Sequence, residues 1–284
     1  MGRFACCAIA CCLSSPALAQ YQTSTGQLPS PEEVLNRDTL TIGAGAAILP
    51  DYEGSNDYRI VPFAAVRGQY HGISFSTRGL YLYVDVIPGR GKKAEFVAGP
   101  IVGARMSKLQ DSDDRVVQLL PHRKTAIEVG GYAGVSFHQL TNPYDTLSLH
   151  LDVLHDVNGA HKSTTFDPSI EFSTPLSRRT FASLSVGTEF VSTKFADYYF
   201  GITPAESLAT GGALPVFNPD GGVKNWKVGL LLNQSLTGDL LHGLSIFGLG
   251  QYSRLLGDFK RAPIVAERGS ANQWTGAMGL AYTW

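Results

Sequence analysis

From about Leu40 to the last residue the chain alternates apolar and polar positions with period two, and short runs of turn residues interrupt the alternation. Thr165 to Ser173 shows it most plainly. Phe166, Pro168, Ile170 and Phe172 fall on one side, and Thr165, Asp167, Ser169, Glu171 and Ser173 on the other. Successive side chains of a strand point to opposite faces, so one face is apolar and the other wet. Leu147, Leu149, Leu151 and Val153 alternate with Ser148, His150 and Asp152 in the same way. So do Ile127, Val129, Ala133, Val135 and Phe137 against Glu128, Gly130, Tyr132, Gly134 and Ser136. The stretch 243–255 is less regular, because Phe247 and Leu249 share a side with Ser245 and Gln251.

The alternation predicts strands near 40–48, 58–68, 72–78, 80–87, 94–105, 125–137, 146–156, 164–174, 180–191, 223–236, 243–255 and 273–284. Twelve is an even number, as a closed bacterial barrel with both ends on one side requires. Connection lengths agree with that parity. The three longest, 106–124, 192–222 and 256–272, fall on one side, while 69–71, 88–93, 138–145, 175–179 and 237–242 are short and fall on the other. Long loops outside and short periplasmic turns are the arrangement of outer-membrane barrels. The count depends on a tight turn at Arg78-Gly79; one long strand there would give ten strands instead.

Composition fits. Charged residues make up 17% of the chain, below the ~25% usual for soluble domains, while glycine and aromatics are plentiful. Mean hydropathy is zero, yet no apolar run approaches the ~18 residues of a membrane helix. Met1-Gly2-Arg3, the apolar Phe4 to Leu13 and the small-x-small Ala17-Leu18-Ala19 read as a secretion signal cleaved after Ala19. Residues 1–19 are then the signal, 20–38 a polar periplasmic lead-in with a short helix start at Ser30-Pro31-Glu32-Glu33, and 39–284 the barrel. All four cysteines, Cys6, Cys7, Cys11 and Cys12, lie inside the signal, so disulfides, thiol catalysis and cysteine–zinc sites are excluded from the mature chain. Loss of Arg3 leaves 22 basic residues against 24 acidic, and nothing in their distribution resembles a nucleic-acid footprint.

The last strand separates a membrane barrel from a soluble sandwich. Trp274, Gly276, Met278, Leu280, Tyr282 and Trp284 share one face. The ending Gly279, Tyr282, Trp284 resembles the C-terminal signal that the barrel assembly machinery reads, with Trp in place of the usual Phe. In a soluble protein the same edge would be an unmanaged apolar strand. The expected class is all-β, a single antiparallel up-and-down barrel in outer-membrane lipid.

Several further segments carry a family resemblance: Pro50-Asp51-Tyr52-Glu53-Gly54-Ser55 with Asp57-Tyr58-Arg59, Asn158-Gly159-Ala160-His161, Asp197-Tyr198-Tyr199-Phe200-Gly201-Ile202, Tyr252 to Asp258 including Leu255 and Gly257, Ala262-Pro263-Ile264-Val265 and Gly269 to Gln273. In this order the chain resembles the MipA/OmpV family of outer-membrane proteins. Ala262 stands where that family commonly has Ser. The resemblance implies no known catalysis and no cofactor. It suggests a scaffold joining a murein transglycosylase to a murein synthase, although other members are linked to adhesion or to solute responses.

Candidate chemistry is sparse. Ser148, His150, Asp152 and Asp156 share the lumenal side of one strand, with His155 facing lipid near the outer rim; a polar lumen needs such residues without catalysis. A serine nucleophile needs an adjacent, oriented base. His150, His155 and His161 are spaced so that they scatter over both faces, whereas zinc needs converging ligands. His161 is expected to cap a turn, Gly54 to supply a positive φ, and Ser55 a side-chain turn bond. Tyr198, Tyr199 and Phe200 lie beside the longest loop and suit a girdle, a lumen plug or a binding surface. Gly43-x-Gly45 and Gly130-Gly131 precede no helix and cradle no phosphate.

Overall fold

The computed structural model describes residues 38–88, 92–107, 109 and 112–284. The expected signal at 1–19 and all but the last residue of the lead-in at 20–38 lie outside these residues.

Twelve antiparallel strands close on themselves: β1 (Thr39–Pro50), β2 (Tyr58–Tyr70), β3 (Ile73–Arg78), β4 (Tyr81–Asp85), β5 (Ala94–Arg105), β6 (Ala126–His138), β7 (Thr146–Asp156), β8 (Thr164–Pro175), β9 (Thr180–Val191), β10 (Gly222–Ser235), β11 (Gly243–Leu255) and β12 (Asn272–Thr283). Each pairs with its neighbours in sequence, and β12 returns to β1. The turn on which the strand count rested exists: Gly79, at φ +60°, reverses the chain between β3 and β4. Closure pairs most of the strand edges, as hydrocarbon requires, although β3 meets β2 over only a short ladder. The backbones of β1 and β12 approach closely where Gly45 faces Gly279. A Cβ on Gly279 would lie 2.2 Å from the Ala44 carbonyl oxygen, and one on Gly45 2.0 Å from that of Met278. Trp284 N–H donates to Leu40 O at 2.9 Å, extending the seam to the last residue.

The outward face carries two aromatic belts. Trp226, Tyr252 and Trp274 stack in series at the outer rim, with ring centroids 5.2 and 4.8 Å apart. Tyr282 and Trp284 (4.6 Å) lie at the opposite end of β12. Trp and Tyr favour the two lipid–water interfaces, so these belts mark the membrane boundaries.

The inward face has two unlike halves. On β3 to β9 it is polar: Arg78 reaches Glu171 (3.9 Å) and lies 4.7 Å over the Tyr83 ring, and Tyr83 donates to Asp152 (2.8 Å). On β1, β2, β11 and β12 the middle of the inner face is uncharged. Gly43, Gly45 and Ala47 register with Ala65, Phe63 and Val61, and Phe247 and Leu249 with Gly279 and Ala277. This explains the weak alternation of 243–255: both faces of β11 are apolar there, one toward lipid and one toward the lumen.

Candidate functional site

The outer connections do not stand away from the barrel. They fold over its mouth as a cap, helped by four short helices: α1 (Thr193–Phe200), α2 (Pro204–Ala209), α3 (Gly257–Arg261) and α4 (Pro263–Ala266). Their apolar side chains join one cluster centred on Phe195, Phe200, Ile202, Leu214, Phe259 and Ile264, with Leu109, Val117 and Leu120 from the 106–124 connection. Ser192 starts α1 by accepting the Phe195 N–H (3.4 Å). Phe195, Ala196, Tyr199 and Phe200 are then buried, linked by the spacings of three and four that share a helix face. Gly201 ends the helix where a Cβ would lie 2.5 Å from Asp197 O.

Below α1 lies a buried series of ion pairs. Glu189 receives Arg105 (2.9 Å) on one oxygen and Lys224 (2.5 Å) on the other. Lys224 also reaches Glu53 (2.8 Å), and Arg105 reaches Glu128 (3.2 Å). Tyr81 donates to Glu128 as well. Lys224 owes its inward aim to a register shift between Val223 and Asn225. The ring of Phe195 packs against both cations, 5.1 Å from the Arg105 Cζ and 5.1 Å from the Lys224 Nζ. A buried charge is costly unless paired, and here each cation has a carboxylate and an aromatic face. The helix is thereby clamped to the barrel wall.

His161 closes the same series. Its Nε2 meets Glu128 at 2.9 Å and its Nδ1 meets the Ser163 hydroxyl at 2.7 Å. Serine, histidine and glutamate in series have the residue types of a hydrolase triad. All three are buried, however, and the Phe195 and Tyr199 rings lie 5.1 and 5.8 Å from His161. A nucleophile needs room for its substrate carbonyl; Ser163 is buried and does not line the neighbouring depression, whereas His161 does, packed between the wall residue Glu128 and the rings of α1. Burial also raises the pKa of Tyr199, whose hydroxyl has no hydrogen-bond partner among the described residues.

The residues that carried the family resemblance meet in this cap. Tyr52 donates to Ile264 O (2.9 Å), its own pKa raised by burial. Gly54 has φ +103°, and a Cβ there would lie 2.4 Å from the Val265 side chain. Its carbonyl accepts Ser270 N–H (2.8 Å) and its N–H donates to Gln273 (3.2 Å). Ser55 is buried, bridges to Gly269 and accepts the Asp57 N–H (3.0 Å). Phe200 meets Phe259 edge-on at 5.2 Å. Gly257 turns into α3 at φ +51°, Asp258 accepts Asp220 N–H (2.9 Å) and pairs with Arg261, and Leu255 and Pro263 are buried. Of the Tyr198-Tyr199-Phe200 cluster, the last two fill the plug. Tyr198 stays at the rim, under Arg123 (5.7 Å), and donates to Lys124 O (3.1 Å). Beside it is an open depression of about 410 Å³ lined by Arg123, Lys162, Lys194, Asp197 and Glu206.

The strand candidates stay apart. Ser148 bonds Ser136 (2.8 Å), His150 lies beside the Tyr132 ring (6.0 Å), and His155 bonds Thr164 (2.9 Å) at the exposed rim. Gly279 and Tyr282 lie on the closing strand and Trp284 just past its end, so Tyr282 and Trp284 are at the end of the strand away from the cap. Sequence reasoning missed Arg105, Glu128, Glu189 and Lys224. Their signal was present: charged residues near the outer ends of four strands, three of them at the parity that faces inward.

Residues 42–284 match the family model described as MltA-interacting protein MipA. The chain belongs to that family. A search of curated proteins finds no match to this sequence. Among solved structures, the chain is similar to the COG4313 outer membrane channel from Pseudomonas putida F1, at 9% identity and TM-score 0.45, covering 93% of this chain and 100% of that one. It is also similar to the outer membrane channel DcaP of Acinetobacter baumannii, at 7% identity and TM-score 0.40, covering 87% and 96%. The protein is an outer-membrane β-barrel.

Proposed function

We propose that this MipA-family barrel is a non-enzymatic interaction protein whose working side is the periplasm, where it gathers a murein transglycosylase and a murein synthase. The observation that carries this reading is the cap. The outer connections turn their apolar side chains and their buried ions inward, which supports a covered outer mouth over an open pore. The family's description as MltA-interacting supports a murein enzyme as the partner class. The periplasmic turns are short, whereas specific interfaces bury ~1,200–2,000 Å² in total. Residues 20–38 therefore supply much of the contact.

The test is capture of a purified lytic transglycosylase by the detergent-solubilised barrel. Deleting residues 21–36 is expected to leave a folded, heat-modifiable barrel that has lost most of its affinity. Binding that survives this deletion but vanishes when 192–222 is shortened would reject the scaffold in favour of an outward-facing receptor. That second reading draws on the depression beside Tyr198.

A further inference from the structure

β2 pairs with β1 along its whole length, from Tyr58 opposite Pro50 to Gln69 opposite Thr39. Its other edge is different. β3 meets it only from Tyr70 opposite Ile73 to Arg67 opposite Ser76. The next backbone groups, those of Val66, are met by a side chain: the Thr77 hydroxyl accepts Val66 N–H (2.9 Å) and donates to Val66 O (3.4 Å). There the hairpin turns. On its far side it follows β5 nearly to the outer end, where Leu80 O accepts Ala104 N–H (3.4 Å). Among the described residues no ladder covers this edge of β2 from Tyr58 to Ala65, so the wall has a notch. Pro62 lies in that stretch, and a proline has no N–H to leave unpaired.

The notch lies at membrane depth. Tyr58 is level with the outer aromatic belt, since its hydroxyl accepts Trp274 N–H (3.2 Å). Eight residues of tilted strand below it descend roughly 20 Å. Bare backbone facing hydrocarbon is strongly disfavoured, and is tolerated where it lines a cavity that supplies polar partners. Behind the middle of this edge, between Arg59 and Arg67, the inner face is uncharged. Phe63 faces inward and meets Phe247 (5.9 Å). Leu49 and Leu249, which also face inward, remain 38% and 39% exposed, so there is free space beside them. On the outside of the same strand Ile60 is 77% exposed.

We propose that the lumen opens sideways into the outer leaflet through this notch, and that the passage takes a single-tailed amphiphile. Among the described residues the cap covers the outer mouth, and the periplasmic mouth and the notch remain as ways in and out. An inorganic ion or a free sugar has no use for an apolar wall. A tail packs on Leu49, Phe63 and Leu249, while its head finds the amides of Ile60 and Ala64, for which the described residues supply no ladder partner, and the charged wall opposite.

The experiment is photolabelling of the full barrel in phosphatidylcholine vesicles containing a diazirine-bearing palmitic acid, with adducts mapped by mass spectrometry. Adducts are expected on the inward Phe63 and Leu249 as well as on the outward Ile60 and Leu280. A second barrel carries a β3–β4 hairpin lengthened by two residues on each arm, which extends the ladder over Ala64 and Phe63. In it, inward adducts should fall at least tenfold while outward ones persist. Absence of inward adducts from both barrels would overturn the proposal. Equal inward labelling of both would overturn the lateral route and leave entry from the periplasm. Adducts blocked by a second copy or a peptide paired along β2 would assign the edge to strand addition instead.

Discussion

Along β12 each residue from Gln273 to Thr283 has a registered partner on β11, and from Gly276 onward also on β1. Phe195, at the centre of the cap, is held instead by Arg105 from the end of β5, Lys224 from β10 and His161 from the β7–β8 connection. The wall is a local, repeating structure whose side chains alternate between lipid and lumen. The cap is a meeting of segments distant in sequence, fixed by buried charge and aromatic packing. The wall therefore fails as a unit, and the cap can fail while the wall stands.

The largest effect is expected where the wall closes. Changing Tyr282 and Trp284 together to serine removes the inner-rim aromatics (centroids 4.6 Å apart) from the closing strand. We predict that no heat-modifiable barrel reaches the outer membrane, read by membrane extraction and gel shift. A variant that assembles at the normal level would show that the terminal aromatics are ordinary belt residues.

Breaking the cap is expected to leave assembly intact. Phe195→Ala deletes a fully buried ring and the aromatic face of two cations, a loss of about 3–5 kcal/mol for the packing alone. Glu189→Ala leaves Arg105 short of one partner and Lys224 dependent on the half-exposed Glu53, at a cost of about 3–5 kcal/mol for a broken buried pair. Both variants should remain heat-modifiable, become protease-sensitive across 192–222 and acquire conductance in a planar bilayer. The unaltered protein should show none. A silent Phe195→Ala bilayer would mean that the mouth is closed by something other than α1.

This contrast also decides what was legible in the sequence. Strand count, parity and belts follow from a period of two, which survives in single residues such as Phe166 and Ile170. The hairpin at Gly79 was hardly announced, because one glycine between two short strands reads equally as part of one long strand, and the loop parity alone favoured a turn there. That the outer connections close over the mouth was not, because the attraction of Phe195 for Arg105 and Lys224 is between segments with no fixed spacing. The Tyr-x-Gly-Ser and Tyr-Phe-Gly segments marked residues that gather there without indicating what they gather around. Nor does alternation distinguish an apolar lumen from lipid, so 243–255 looked irregular when it faces two apolar surroundings.

The smallest effect concerns a strap within the cap, between two of its outer connections. Asp114, in the 106–124 connection, takes two hydrogen bonds from the Arg268 guanidinium, at 2.9 and 3.1 Å. It also accepts the N–H groups of Val116 (2.8 Å) and Val117 (3.1 Å). Partial burial pushes its carboxyl upward, but the Arg268 and backbone hydrogen bonds outweigh that and hold its pKa below the ordinary 3.8. A carboxylate depressed on folding contributes its stabilisation above the unfolded-state pKa and loses it as pH falls through the folded value. The strap should thus be intact at neutral pH and loosen only below about pH 4. Surface pairs of this kind contribute little, so the barrel and the plug should be unaffected. The expected result is a modest rise in proteolysis confined to 106–124, seen at low pH in the native protein and at all pH values in Asp114→Asn. If acid loosens the native strap and the Asp114→Asn strap to the same extent, the titrating group lies elsewhere in the cap and the ion series beneath α1 becomes the next place to look.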